Sequence, residues 1–192
     1  MKYFIFDVET TGLDANRHTI IQLGYIRTDL AGRRITTLLK MQPVPDADIN
    51  LKALETSSTS LIELMSQPSP SLAYKRVLDE LGFWVSRFNK QDKFIPVGYN
   101  VRFDLDFLRA WFLKVDPNEE GCFGSYFHTG AIDVWSLVAL HLGEKILDLP
   151  NTKLITVAEA CGLTVEQSET HNALYDAILT EQLFKLLKGE VR

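Results

Sequence analysis

The sequence predicts an α/β fold, and three observations carry that expectation. Residues 2–8 form a near-continuous apolar run, and residues 19–28 (TIIQLGYIRT) and the stretch RITTLLKMQ from Arg34 flank a turn at AGR, residues 31–33. Such β-branched and aromatic runs, bounded by turn residues, describe a three-stranded meander. Further along, KFIPVGYN gives a short strand followed at once by the amphipathic stretch VRFDLDFLRAWFLK, so strands begin to alternate with helices.

The remaining elements follow from local signals. PVPD breaks the third strand, and residues 46–70 are polar and Ser/Thr-rich, a loop with at most a short helix around residues 59–66. Leu72, Val77, Leu78, Leu81, Trp84, Val85 and Phe88 recur at helical spacing, with Ser71 as N-cap after Pro70. Asn100 is placed to cap the next helix. Residues 116–130 read as loop, and AIDVWSLVALHL as a helix or a strand plus helix. TVAEACGL is a short helix stopped by Gly162, and HNALYDAILTEQLFKLLKG a last helix ending at Gly189.

At 192 residues and 46% hydrophobic, the chain is long enough for one well-filled core, so residues 1–192 are expected to form a single domain. The start MKYFIFDVE turns acidic too soon for a signal peptide, and no run approaches a membrane span. A cytoplasmic protein without membrane contact is expected. Cys122 and Cys161 lie far apart without ligand-like spacing and read as reduced thiols. The net charge of −5 argues against nonspecific coating of nucleic acid through a basic surface. It leaves room for an enzyme whose carboxylates hold cations where phosphate must sit.

Asp7 and Glu9 interrupt the first apolar run two positions apart, which puts both carboxylates on one face of the strand. Like charges so placed repel, and their desolvation is costly unless a cation sits between them. At ~100° per residue the helix over 101–115 gathers Phe103, Phe107, Leu108, Trp111 and Phe112 into one stripe, with Asp104 near its middle. Asp106 falls on the polar face beside Arg102 and Arg109. In the last helix Leu179, Leu183, Phe184 and Leu187 form the inner face, and Asp176 lies among them. A single inward Asp is as well explained by a cap or a buried ion pair. Four inward acids, with no Lys or Arg inward on these helices, point to a metal.

Only oxygen ligands are on offer, which favours Mg²⁺ or Mn²⁺ over zinc. Two such ions about 3.5–4 Å apart would activate water and stabilise the leaving oxygen of an in-line displacement at phosphorus. His171, five residues before Asp176, can reach such ions from a loop and take the proton of that water, but taken alone it reads more readily as a surface or capping residue. His18, His128 and His141 read as surface or capping residues.

The stretches FDVETTGL, GYNVRFDLDFL and HNALYDA, in this order, resemble the three motifs of the DEDDh group of 3'-5' exonucleases. That DnaQ-like group includes the proofreading epsilon subunit of bacterial replicative polymerase, ribonuclease T and oligoribonuclease. The resemblance spans residues 3 to 187. It implies a ribonuclease-H-like fold, a mixed five-stranded sheet flanked by helices. It makes Asp7, Glu9, Asp104 and Asp176 the metal-binding acids of a two-ion site and His171 the general base. It also implies substrate contacts from Thr10, Thr11, Gly12, Leu13 and Asn100, with Leu13 a wedge against the terminal base. Two positions depart from the group's pattern: Tyr99 stands where many members carry His, and Asn172 where a basic residue is common.

The expected activity is metal-dependent 3'-5' hydrolysis of single-stranded nucleic acid, as in DNA proofreading or repair, releasing nucleoside monophosphates, with DNA favoured and RNA the second option. The alternatives are a binding module of the same fold without catalysis, and a small dinucleotide phosphodiesterase. The resemblance leaves open a polymerase partner and a homodimer.

Overall fold

The computed structural model describes residues 1–28, 33–117, 122–169 and 171–189. Its five strands are β1 (Lys2–Thr10), β2 (Ile20–Thr28), β3 (Arg34–Lys40), β4 (Phe94–Gly98) and β5 (Ile132–Asp133). They form one mixed sheet in the order β3-β2-β1-β4-β5. β1 to β3 are the antiparallel meander, while β4 lies parallel to β1 and β5 parallel to β4. The turn expected at residues 31–33 lies largely outside the described residues.

β1 is central, so both of its faces are covered, and its side chains divide by parity as a pleated strand requires. Phe4, Phe6 and Val8 pack with Val77, Leu81, Leu108 and Trp111, on the side covered by helices α3 (Pro70–Trp84) and α4 (Arg102–Val115). Ile5 and Val97 pack instead with Val138, Val157 and Leu183. Those three belong to α6 (Val134–Leu142), α7 (Leu154–Ala160) and α8 (Ala173–Leu187). Each fully buried aliphatic or aromatic side chain contributes about 1.5–3 kcal/mol. Asp7 and Glu9 share the parity of Ile5 and so approach α8.

Several local expectations are corrected. Residues 46–70 hold two short helices, α1 (Leu51–Thr56) and α2 (Leu61–Ser66). Asn50 and Ser60 nucleate them by accepting from the Lys52 and Glu63 N–H groups, a capping signal that outweighs the weak apolar period. α3 begins at Pro70 with Ser69, rather than Ser71, as its N-cap, and ends before Phe88, which is 95% exposed. α4 has no side-chain cap: Val101 stands at that position, and Asn100 takes a left-handed backbone with φ of 55°. The segment 116–130, expected as loop, contains α5 (Cys122–Tyr126) and a bridge from Phe127 to Phe94. Among the described residues, no helix is long and apolar enough to cross a membrane.

Candidate active site

The carboxyl ends of β1, β4 and β5 lie side by side, the end of a parallel arrangement at which α/β folds bind ligands. β1 carries Asp7 and Glu9 to this end. The register slips between Glu9 and Thr10, which pair with Gln22 and Ile20. Such a bulge re-aims the strand where pairing stops.

The close seating of α8 depends on Gly24, the β2 residue opposite Asp7. A Cβ on Gly24 would lie 2.2 Å from the Ala173 carbonyl carbon and the Leu174 nitrogen. Only a bare backbone lets the first turn of α8 rest on the sheet, and that contact brings Asp176 toward Asp7. Asn172 caps α8, its side chain accepting from the Leu174 and Tyr175 N–H groups. His171, just before the cap, is held in the left-handed region with φ of 64°. From the other side, α4 delivers Asp104, 5% exposed, whose Oδ1 accepts from the Val8 N–H at 3.1 Å.

Asp7, Glu9, Asp104, His171 and Asp176 line a cleft of about 900 Å³ together with Asn100, Tyr99, Trp135 and Lys153. Glu9, His171 and Asp176 each present a ligand atom within 4.8 Å of the other two. Burial and mutual repulsion dominate the electrostatics of these acids. Burial first, then Asp104, Asp176 and Glu9, hold the Asp7 carboxyl well above the usual carboxylate range. Burial, reinforced by Asp176 and Asp104, pushes Glu9 up to about 8. Burial lifts Asp104 to about 7, although the Val8 N–H pulls against it. Asp176 rises to about 6 through burial, opposed by a backbone hydrogen bond from His171.

The donor set fits a hard divalent cation. Asp176 Oδ1 is buried and has no hydrogen-bond partner among the described residues, a costly state unless a ligand completes it. Carboxylate oxygens with one imidazole nitrogen suit Mg²⁺ or Mn²⁺.

The TTGL turn is arranged differently. Thr10 Oγ1 donates to the Gly12 carbonyl, and Thr11 Oγ1 donates to the Asp48 carbonyl while accepting from the Thr19 N–H. A Cβ on Gly12 would lie 2.2 Å from the His18 ring. Both threonine hydroxyls and Gly12 thus hold the turn together. Leu13, 84% exposed, lines a neighbouring groove of about 530 Å³, which meets the main cleft at Phe103. Sequence reasoning passed over Trp135 and Lys153, which belong to no motif, and Gly24, whose signal was a glycine inside a strand pattern. Tyr99, a departure from the family pattern, also lines the cleft.

The exonuclease family model RNase_T matches residues 4–184. The chain belongs to this family. It is an exonuclease domain of the DEDDh, DnaQ-like type of 3'-5' exonucleases. It is 26% identical over 189 residues to ribonuclease T of Haemophilus ducreyi, covering 94% of this chain and 81% of that protein. It is 32% identical over 187 residues to the PolC-type DNA polymerase III of Thermotoga maritima, covering 95% of this chain but 11% of that protein. Its fold matches E. coli exonuclease I in complex with a dT13 oligonucleotide, with a TM-score of 0.73 at 23% identity, over 97% of this chain and 41% of that one.

Proposed function

We propose that residues 1–192 act in the cytoplasm as a single metal-dependent domain that shortens single-stranded nucleic acid from its 3' end and releases nucleoside monophosphates. The observation that carries this reading is the convergence of Asp7, Glu9, Asp104 and Asp176 from three separate elements around a carboxylate oxygen that lacks a partner among the described residues. Repulsion within such a cluster is tolerable when divalent cations complete it. Asp7, Glu9, Asp104 and Asp176 would hold two of them. Bound there, the ions would supply activation of water and charge stabilisation at phosphorus.

The protein's own groups do the rest. A ring nitrogen of His171, on an exposed residue at the lip of the cleft, takes the proton of the attacking water. Asn100 and Leu13 orient the terminal nucleotide, and the threonine-stapled turn fixes Leu13 relative to Glu9. DNA is the favoured substrate because the matching fold of exonuclease I holds a DNA oligonucleotide. The relative named ribonuclease T keeps RNA as the second option.

The test is a panel of 5'-labelled substrates with Mg²⁺ or with EDTA: single-stranded DNA, duplex with a 3' overhang, RNA and a dinucleotide. A ladder shortening stepwise from the 3' end, abolished by EDTA and by Asp7→Ala in a folded protein, is expected. Hydrolysis unaffected by Asp7→Ala, or confined to the dinucleotide, would overturn the reading. The PolC-type relative motivates a further arm, co-elution with a replicative polymerase.

A further inference from the structure

We propose that Lys153 binds a phosphate of the nucleic-acid strand in the cleft and that the Tyr99 hydroxyl positions the segment carrying it. The pair sets how tightly the strand is gripped rather than how fast it is cut. The proposal rests on the nuclease reading above.

Lys153 is the one lysine or arginine among the described residues that line the 900 Å³ cleft. Asp7, Glu9, Asp104 and Asp176 line the same space, so a polyanion entering it meets a wall of like charge. A cleft of this size is at the upper end of the range of about 300–1,000 Å³ usual for ligand sites. It has room for strand phosphates beyond the one being cleaved.

Two cations of α4 are already engaged elsewhere. Lys114 donates to the carbonyls of Ala15 and His18 at 2.7 and 2.8 Å. Arg109 lies 4.0 Å from Asp106 and donates to the Thr129 carbonyl. Lys153 has no ion pair among the described residues, and the hydrogen bond it donates to Asn151 comes from its backbone N–H. A free ammonium, with three rotatable donors, is a sequence-independent phosphate ligand.

The segment that carries Lys153 is fixed at both ends. Asn151 Oδ1 accepts from the Lys153 N–H at 3.0 Å and from Thr156 Oγ1 at 2.8 Å. On the cleft side the Tyr99 hydroxyl donates to the Thr152 carbonyl at 2.7 Å. Tyr99 is joined to Asn100, whose N–H donates to Asp133 Oδ1 at 2.8 Å. Through these bonds the rim at residues 151–153 is braced against the turn that follows β4. The brace depends on the Tyr99 hydroxyl.

The experiment measures KM and kcat on a single-stranded oligonucleotide across a KCl series with Mg²⁺, and anisotropy of the same labelled oligonucleotide in EDTA. Lys153→Gln is expected to raise KM about tenfold at low salt, with kcat maintained. It should lower the slope of log affinity against log salt by about 0.7, the loss of one phosphate contact on a single strand. Lys153→Arg should restore the slope. Tyr99→Phe should shift KM the same way by less, and should add nothing in the Lys153→Gln background.

A wild-type KM and salt slope in Lys153→Gln overturns the proposal, as does a fall in kcat at constant KM. Full additivity of the two substitutions overturns the role of Tyr99. Absence of wild-type hydrolysis would instead remove the nuclease reading, and the anisotropy slope would then decide the role of Lys153 by itself.

Discussion

Asp176 and Glu181 lie five residues apart on α8, and the helix treats them in opposite ways. Glu181, whose side chain is 4% exposed, accepts from Arg34 Nε at 2.7 Å through one oxygen and from Lys185 Nζ at 2.7 Å through the other. Asp176 has a buried oxygen with no partner among the described residues and three acidic neighbours in Asp7, Glu9 and Asp104. The same contrast holds across the sheet. Burial alone would raise the Glu80 carboxyl, but the Tyr25 hydroxyl and the Arg27 guanidinium together hold it below the usual range. This fold evidently can supply cations to buried acids. Where it supplies none, the counter-charge must come from outside.

The sharpest way to break the comparison is Asp176→Asn. If the unpaired acid is a metal ligand, hydrolysis should fall by about 10³-fold or more, read from oligonucleotide cleavage with Mg²⁺. The same substitution should raise the melting temperature in EDTA, because it removes a charge that three neighbouring acids repel while leaving an oxygen to accept from the His171 backbone. Loss of activity together with a gain in metal-free stability is the signature. Activity retained at wild-type level would place the metal elsewhere.

The pH dependence of the metal-free protein tests the cluster as a whole. Glu9, Asp104 and Asp176 keep their protons up to about 8, 7 and 6 respectively. The unfolded chain releases its own near 4. Between those limits the native state binds more protons than the unfolded state, so stability falls as pH rises. The slope is about 1.4 kcal/mol per pH unit for each proton held. Denaturation in EDTA should therefore show lower stability at pH 8 than at pH 5. Mg²⁺ at a hundredfold excess over its Kd should restore about 2.7 kcal/mol at pH 8, and Asp176→Asn should reduce that gain. A stability that rises from pH 5 to 8 in EDTA would show that the acids are paired after all.

Legibility in the sequence followed periodicity. Asp7 and Glu9 announced themselves through strand alternation, and Asp104 and Asp176 through positions inside apolar helical stripes. The meander and the later strand-helix alternation were visible for the same reason. What has no period stayed hidden: the capped six-residue helices, the left-handed backbone at His171, and the rim at residues 151–153. The seat of α8 on Gly24 was hidden too, since it joins segments about 150 residues apart. Gly24→Ala probes it directly. Its Cβ would fall 2.2 Å from backbone atoms of Ala173 and Leu174, so α8 must shift. A loss of about 1–3 kcal/mol in stability should come with a lower kcat, because Asp176 moves with the helix. Normal kcat at reduced stability would show that the seat serves packing alone.

Glu181→Gln supplies the smallest effect and the strictest control. Removing the charge leaves Arg34 and Lys185 without their carboxylate, and for a fully buried pair that costs about 3–5 kcal/mol. Here the two cations are 40% and 39% exposed, so they can return to water, and the glutamine still offers Arg34 an oxygen. A loss of about 1 kcal/mol follows, or roughly 2–4 °C in melting temperature for a chain of this size. It should be the same in EDTA and in Mg²⁺, and kcat should not change. If Glu181→Gln instead stabilised the metal-free protein and depressed hydrolysis, as Asp176→Asn is expected to do, the two acids of α8 would be electrostatically alike. The internal pairing of Glu181 would then no longer distinguish a structural carboxylate from one that holds a cation.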